Sequence, residues 1–505
     1  MKTVLALDFG TQSPKAAIID ETGVIRAKAK AAYGFCVNHN GWLEQNPEDW
    51  WEALISMSRS LQSSEPEAFS AVCSVGISAQ MHGVVLVDEA GNALGNCIVW
   101  CDTRSAPQAM KLEAFSRERG LPLQNPATSA YTAPKLLWLK EHEPKTYAKA
   151  HTLLYCKDYL RFRLSGKVAT DVSDASGSLL YDFFEGDWHW ELIRALDLRE
   201  SLFPEILESS ERAGHISKSA SDATGIPQSA SIAAGAGDLV CSLLGNGILN
   251  RGDILINLGT AGQIMTVCQP DAKPPIGVHR FQMTSRSSSF MLCSLQSAAY
   301  CLRWFLENVC PIPKDAEGNL PENSFALMDE MAKTRPVGSN GLIFLPYLNG
   351  TGNPHLDDDA SACFVGLTAA HTKDDMIRAV MEGVSYGVSE ALQSITDGTP
   401  SSIFFSGGGS YSPLWRQIMS DVLGSPLSCS KQAEASLTGA AMLAMTAVGI
   451  FPSPSEAVKL LPKAQVQHPI AENTNRYQAM QALYQSCYRQ NKDILKQLSR
   501  LREES

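Results

Sequence analysis

An α/β protein built from two domains of related design is predicted by three observations. A strand–glycine turn–strand unit near the N-terminus, Val4-Leu5-Ala6-Leu7, Asp8-Phe9-Gly10-Thr11-Gln12-Ser13, Lys15 to Asp20, reads as a hairpin. The same design returns about 250 residues later, as the strand Asp253 to Asn257, the turn Leu258-Gly259-Thr260-Ala261-Gly262 and the strand Gln263 to Val267. Helix-period stretches fill the spaces between strand runs throughout the chain.

The length fits this reading, because 505 residues suffice for two separately cored domains. The boundary is expected near residue 250, where Asn246-Gly247 and Asn250-Arg251-Gly252 supply turn chemistry, giving domains 1–249 and 250–505. Helices are expected over residues 46–61, 371–395 and 471–500. The first opens with Asn46 as cap, Pro47 in the first turn and the acids Glu48 and Asp49 at the positive dipole end. Thr372 caps the second, with Met376, Val380, Val384 and Val388 on one face.

Composition excludes several classes. Hydrophobic residues make up 44% and charged residues 19%, the balance of an ordinary globular protein. A net charge of −11 argues against a nucleic-acid or anionic-membrane surface. No stretch approaches the roughly 18 apolar residues of a membrane span, and Asp8 cuts short any N-terminal leader. The 13 cysteines form no Cys-x-x-Cys pair, which argues against a disulfide framework or a structural zinc and for free thiols in a reducing cytoplasm.

Five motifs carry chemistry. In the first turn, Gly10 exposes backbone N–H groups while Thr11, Gln12, Ser13 and Lys15 add donors suited to phosphate oxygens. Asp8, at the strand end, can hold Mg2+ directly or through water. A plain β-turn is the alternative reading. Gly259 and Thr260 in the matching turn gain weight from the pairing, since two such tips facing across a cleft can grip a triphosphate. Gly407-Gly408-Gly409 ends a strand and leads to Ser412 as cap and Pro413 as first residue of a helix. The glycines let a nucleoside approach the backbone closely, although a tight strand-to-helix turn alone also explains them. Neither a G-x-G-x-x-G nor a P-loop pattern is present.

Asp238, after Gly235-Ala236-Gly237, stands at a strand end opening a helix. It reads either as a helix cap or as a base that takes the proton of an attacking hydroxyl. Gln80, Met81 and His82 follow the strand Val72 to Ile77, where ligand contacts collect. Gln80 and His82 can bond sugar hydroxyls, or the His can be structural. Trp100 and Asp102 follow another strand, and Asp102 reads either as a hydroxyl acceptor or as an Asp–Arg pair with Arg104 that fixes a loop.

In this order the residues resemble the FGGY carbohydrate kinases over nearly the whole chain. Asp8 to Ser13 is similar to the family's first phosphate motif, and Gly41-Trp42-Leu43-Glu44-Gln45-Asn46-Pro47 to its Gly-Trp-x-Glu-Gln-x-Pro segment. Gln80 to Gly83, Lys157-Asp158-Tyr159-Leu160 and Ser173-Asp174-Ala175-Ser176-Gly177 resemble motifs of one ketose-specific subgroup. Leu345-Pro346-Tyr347, the three glycines with Ser412-Pro413-Leu414-Trp415, and Glu434 to Ala440 fit the later signature regions.

The resemblance implies two ribonuclease-H-like domains of the actin and hexokinase type around a central cleft. It implies ATP and Mg2+ and a small sugar as partners, with Asp238 as catalytic base, Asp8 and Asp238 beside the metal, and Met81 and His82 on the sugar. A terminal ketose hydroxyl is the expected acceptor, D-xylulose first. Another sugar or polyol (D-ribulose, sedoheptulose, gluconate), an actin-like ATPase and a non-catalytic sugar-binding regulator are the alternatives, and a homodimer is one assembly the reading allows. Two positions depart from the family pattern. Leu239 follows Asp238 where an Asn is common, and Gly350-Thr351-Gly352-Asn353-Pro354 replaces Gly-Glu-Arg-x-Pro.

Overall fold

The structure is a computed structural model that describes residues 1–505 apart from 38–40, 311–320, 322, 397–399, 430–433 and 504–505. Two seven-stranded sheets organise it. In the first, Ile25–Lys30, Lys15–Asp20 and Thr3–Phe9 pair antiparallel, Val72–Ala79 and Ser231–Ala233 continue parallel, and Arg212–His215 closes antiparallel. The short strand Ala236–Gly237 adds to Val72–Ala79. The second sheet repeats the directions. Ser289–Leu295, Gly262–Cys268 and Asp253–Leu258 are antiparallel, Ser402–Ser406 and Leu427–Cys429 parallel, and Gln465–Gln467 antiparallel. His279–Gln282 extends its edge.

The strands read as apolar runs because the central ones are covered on both faces. Side chains alternate across a strand. Val4 and Ala6 therefore enter one core while Leu5, Leu7 and Phe9 enter another. In the second sheet Ile254, Ile256 and Leu258 face an outer core, whereas Leu255 joins Val4 and Ala6 in the core between the sheets.

That middle core decides how the halves meet. Its helices Asp238–Gly245 and Ala435–Ala447 come from opposite halves of the chain and touch backbone to backbone. A methyl group at Gly439 would lie 2.0 Å from the Cys241 carbonyl oxygen, and one at Gly245 would lie 1.9 Å from that of Ala435. On its other side Ala435–Ala447 meets the first sheet, where a methyl at Gly76 would lie 2.0 Å from the Ala440 carbonyl oxygen. Only glycine permits either approach.

The helix signals act as expected. Asn46 accepts from the Glu48 amide at the start of Pro47–Ser64. Thr372 and Asp375 form a capping box on Lys373–Ile395, and the terminal helix spans Ala471–Glu503. Among the described residues no helix is long and apolar enough to cross a membrane. All thirteen cysteines are free thiols.

Candidate active site

Three strand ends lie side by side at one edge of the first sheet. Asp8 and Ala236 both pair with Ser78, and Gly237 pairs with Ala79. Asp8 thus stands one strand away from the point where Ala236–Gly237 turns into the helix of Asp238. The Ser78 hydroxyl donates to Asp8 Oδ1 at 2.8 Å. Burial raises the Asp8 carboxyl above its usual range, opposed by the Ser78 hydrogen bond and by Lys15.

Gly237 occupies the cap position of Asp238–Gly245, so Asp238 is the first helical residue rather than the cap. Its Oδ1 accepts the Leu239 amide at 2.8 Å. The backbone therefore orients the carboxylate although the side chain at 239 has no amide. Burial first, and then the charge of Asp8, push Asp238 up to about 7. Both carboxylates remain partly accessible.

The peptide before Asp238 is held from below and covered from above. The Gly237 amide donates to Ser173 Oγ at 2.9 Å, and Ser173 in turn donates to the buried Asp171 at 2.7 Å. Met81 packs over Gly237, where a methyl would lie 2.5 Å from Met81 Cγ. His82 adopts φ 67°, and its Nδ1 lies 2.7 Å from the Gly177 carbonyl oxygen. A carbonyl only accepts, so Nδ1 carries the proton and Nε2 is left as an acceptor. Burial, reinforced by Lys135, lowers His82 to about 3 and keeps it neutral.

The first turn is tied to the substrate motif by a relay. Gln80 donates to Gln45 Oε1 at 2.6 Å, and Gln45 donates to the Thr11 carbonyl at 2.5 Å. Gln80 is 2% exposed and props the turn from inside. Trp100 Nε1 donates to Thr11 Oγ1 at 3.1 Å, which brings the Trp100 ring to the first turn. Gln12 and Ser13 are exposed at the tip. Lys15 reaches Glu434 Oε2 at 2.8 Å, linking the first turn to the residue that precedes helix Ala435–Ala447.

Asp102 corrects the expectation of a sugar contact. Its two oxygens accept the Leu43 and Arg104 amides and the Arg104 Nε and Nη2 groups at 2.6 to 2.9 Å. These four bonds fill the carboxylate's acceptor capacity. The alternative reading, an Asp–Arg pair that fixes a loop, is the one the geometry bears out.

The second turn and the glycine turn share one cavity of about 550 Å3, bordered by Gly259, Thr260, Gly408, Gly409, Ser412 and Asp329. Gly407, at φ 79°, lies against the Leu258 carbonyl, where a side chain has no room. Ser412 caps Pro413–Leu423 through the Trp415 amide and donates to Asp329 at 2.8 Å.

Among the described residues no group of three or more His, Cys, Asp or Glu side chains is arranged to hold a metal. One or two accessible carboxylates at strand ends instead fit a Mg2+ ion that arrives with a nucleotide, since that ion keeps waters and phosphate oxygens as its other ligands. Gln45 and Glu434 lie inside recognisable motifs but carry no individual signal. Ser173 is of the same kind, whereas Asp329, Tyr131 and His279 become visible as neighbours of the site only in three dimensions.

A duplicated sheet with paired carboxylates at its strand ends and a nucleoside-sized cavity on its second half has the equipment of a two-domain phosphotransferase. Family comparison makes the class specific. Residues 3–245 match the N-terminal domain, and residues 254–448 the C-terminal domain, of the FGGY family of carbohydrate kinases. The chain belongs to that family and is a sugar kinase.

It is 30% identical over 499 residues to the xylulose kinase of Bacillus subtilis (strain 168), covering 98% of each chain. The xylulose kinase of Escherichia coli (strain K12) is 31% identical over 490 residues, 96% of this chain and 98% of the relative. The crystal structure of xylulose kinase from Rhodospirillum rubrum superposes with a TM-score of 0.89 at 25% identity, covering 98% of this chain and 100% of that one.

Proposed function

We propose that this chain transfers the γ-phosphoryl group of Mg·ATP to the terminal hydroxyl of a ketose, with D-xylulose as the first candidate. The observation that carries the reading is the Asp238 carboxyl, pushed up to about 7 beside Asp8 at the strand ends. A base poised near neutral pH has the proton affinity that general-base catalysis favours. The full-length similarity to xylulose kinases supports the choice of sugar.

In this mechanism Asp238 accepts the proton of the attacking hydroxyl. The Leu239 amide and the Ser173–Gly237 bond hold the carboxylate in register for that transfer. Thr11, Gln12, Ser13, Gly259 and Thr260 receive phosphate oxygens through turn amides and hydroxyls. Gly408, Gly409 and Ser412, which line the cavity, border the nucleoside, with Gly407 making the turn that precedes them. Asp8 and Asp238 would hold a Mg2+ ion that arrives with ATP, and that ion would supply charge neutralisation for the transferring phosphoryl group. Met81 and His82 hold the sugar, and closure of the cleft keeps water from the γ-phosphate. Residues 1–249 form the sugar-side unit and 250–505 the nucleotide-side unit. The thirteen free thiols support a reducing cytoplasm as the working compartment.

A coupled ADP-release assay with Mg·ATP and a panel of D-xylulose, D-ribulose, sedoheptulose, D-gluconate and polyols tests the reading. D-xylulose is expected to give the highest kcat/KM. ADP release that is independent of every sugar contradicts a sugar kinase acting on this panel.

A further inference from the structure

The second half of the chain supplies two rings, His279 and Phe281, that pack around Tyr131 and His82 of the first half. His279 begins the edge strand His279–Gln282 of the second sheet. Its Nδ1 lies 2.5 Å from the Tyr131 hydroxyl. The Tyr131 ring packs against His82 with centroids 4.9 Å apart and against His279 at 5.7 Å. Phe281 completes the cluster 5.7 Å from His82. Both imidazoles are partly exposed, while Tyr131 is 2% exposed.

The hydrogen bonds fix what each ring offers. The buried Tyr131 hydroxyl has one proton to place, and among the described residues its partner is His279 Nδ1. Tyr131 therefore donates, Nδ1 accepts, and His279 Nε2 carries N–H. His82 has the opposite tautomer, with Nδ1–H spent on Gly177 and Nε2 free to accept. Burial holds both rings neutral, with His279 lowered to about 4.

The cations nearby are committed elsewhere. Lys135 donates to the His82 and Ala130 carbonyls. Arg280 donates to the Pro270 and Ala272 carbonyls and to Gln124. These hydrogen bonds direct both cations at carbonyl and amide oxygens of the protein.

We infer that His279 is a specificity-determining residue of the sugar site, its N–H donor and the His82 acceptor together matching the hydroxymethyl ketone end of a 2-ketose and rejecting the carboxylate of an aldonate. A hydroxymethyl ketone brings one hydroxyl donor, for His82, and one carbonyl acceptor, for His279. An aldonate brings two acceptor oxygens and a charge, so one oxygen faces the His82 lone pair, while Lys135 and Arg280 already spend hydrogen bonds on protein oxygens. This assignment rests on the ketose-kinase reading and deepens it.

The test measures kcat and KM for D-xylulose and D-gluconate in the full chain, alongside His279→Phe and His279→Gln. Phe keeps the stacking and removes the nitrogen, while Gln keeps an N–H donor. Binding of a fluorescent ADP analogue reports whether each variant retains the folded nucleotide site.

The wild type is expected to favour D-xylulose over D-gluconate by at least about 100-fold in kcat/KM. Loss of one desolvated hydrogen bond should raise the D-xylulose KM of His279→Phe by about 10- to 100-fold, with the KM for ATP unchanged. His279→Gln should recover most of that loss. A D-xylulose KM unchanged in His279→Phe, or a wild type that prefers D-gluconate, overturns the assignment. Absence of ADP formation with every sugar overturns the ketose-kinase reading itself, and a ketose kinase indifferent to His279→Phe overturns this inference alone.

Discussion

Asp8 and Asp238 stand at the ends of strands that flank Ser78, and the negative charge of Asp8 adds to burial in holding the Asp238 carboxyl up to about 7. The pair gives the strand ends two carboxylates, one of them with its proton affinity raised toward neutral pH. The same relationship sets the pH behaviour of the protein.

With Asp238 as the proposed general base, the acid limb of kcat/KM for the sugar should fall as pH drops below about 7, since a base acts only in its deprotonated form. Asp8→Asn removes the second cause of the shift while leaving burial, the first. The limb should therefore move to lower pH, alongside a loss of kcat. A wild-type limb in the ordinary carboxylate range near 4 contradicts the geometry.

The same shift has a stability sign. A carboxyl whose folded pKa lies above its unfolded value binds its proton more tightly in the native state, so stability is lost as pH rises from about 4 to 7. Asp238→Asn removes that loss. Thermal denaturation should show the variant more stable than wild type at pH 8, by roughly 1–3 kcal/mol after allowing for partial solvent access, with a smaller gain at pH 5. An equal effect at both pH values contradicts the assignment.

Asp102→Asn tests the structural role of that carboxylate. Arg104 is nearly buried and is held by Asp102 and Glu44, so weakening the pair should lower Tm by several degrees. The KM of the remaining folded enzyme for its sugar should stay within about twofold. A large rise in sugar KM at unchanged Tm would restore Asp102 to the sugar site.

Gly439→Ala tests the seam between the halves. The new methyl would fall 2.0 Å from the Cys241 carbonyl oxygen, on the helix that Asp238 opens. Overpacking of this kind costs about 1–3 kcal/mol or more. Denaturation should show that loss, and kcat should fall with it because the helix of Asp238 shifts. Wild-type stability and kcat in Gly439→Ala contradict the backbone contact.

Local chemistry made much of this legible. Apolar runs ending in Gly-Thr turns announce the two hairpins, and Asn46, Thr372 and Ser412 announce helix starts, because capping and turn formation involve near neighbours only. Long-range packing left no such mark. The sequence of helix Ala435–Ala447 says nothing of its contact with the first sheet at Gly76. Asp102 carries the same local signal whether it reads a sugar or holds Arg104, and only the count of its four donors separates the two. Tyr131 and His279 meet across 148 residues of chain with no motif at either position.

The most direct test of the account is Asp238→Ala, assayed for sugar-dependent ADP formation and, separately, for Mg·ATP binding. General-base removal should lower kcat by about 100- to 10,000-fold, while the Kd for Mg·ATP stays within a few-fold of wild type. Turnover close to the wild-type rate in a folded, nucleotide-binding Asp238→Ala protein would contradict it.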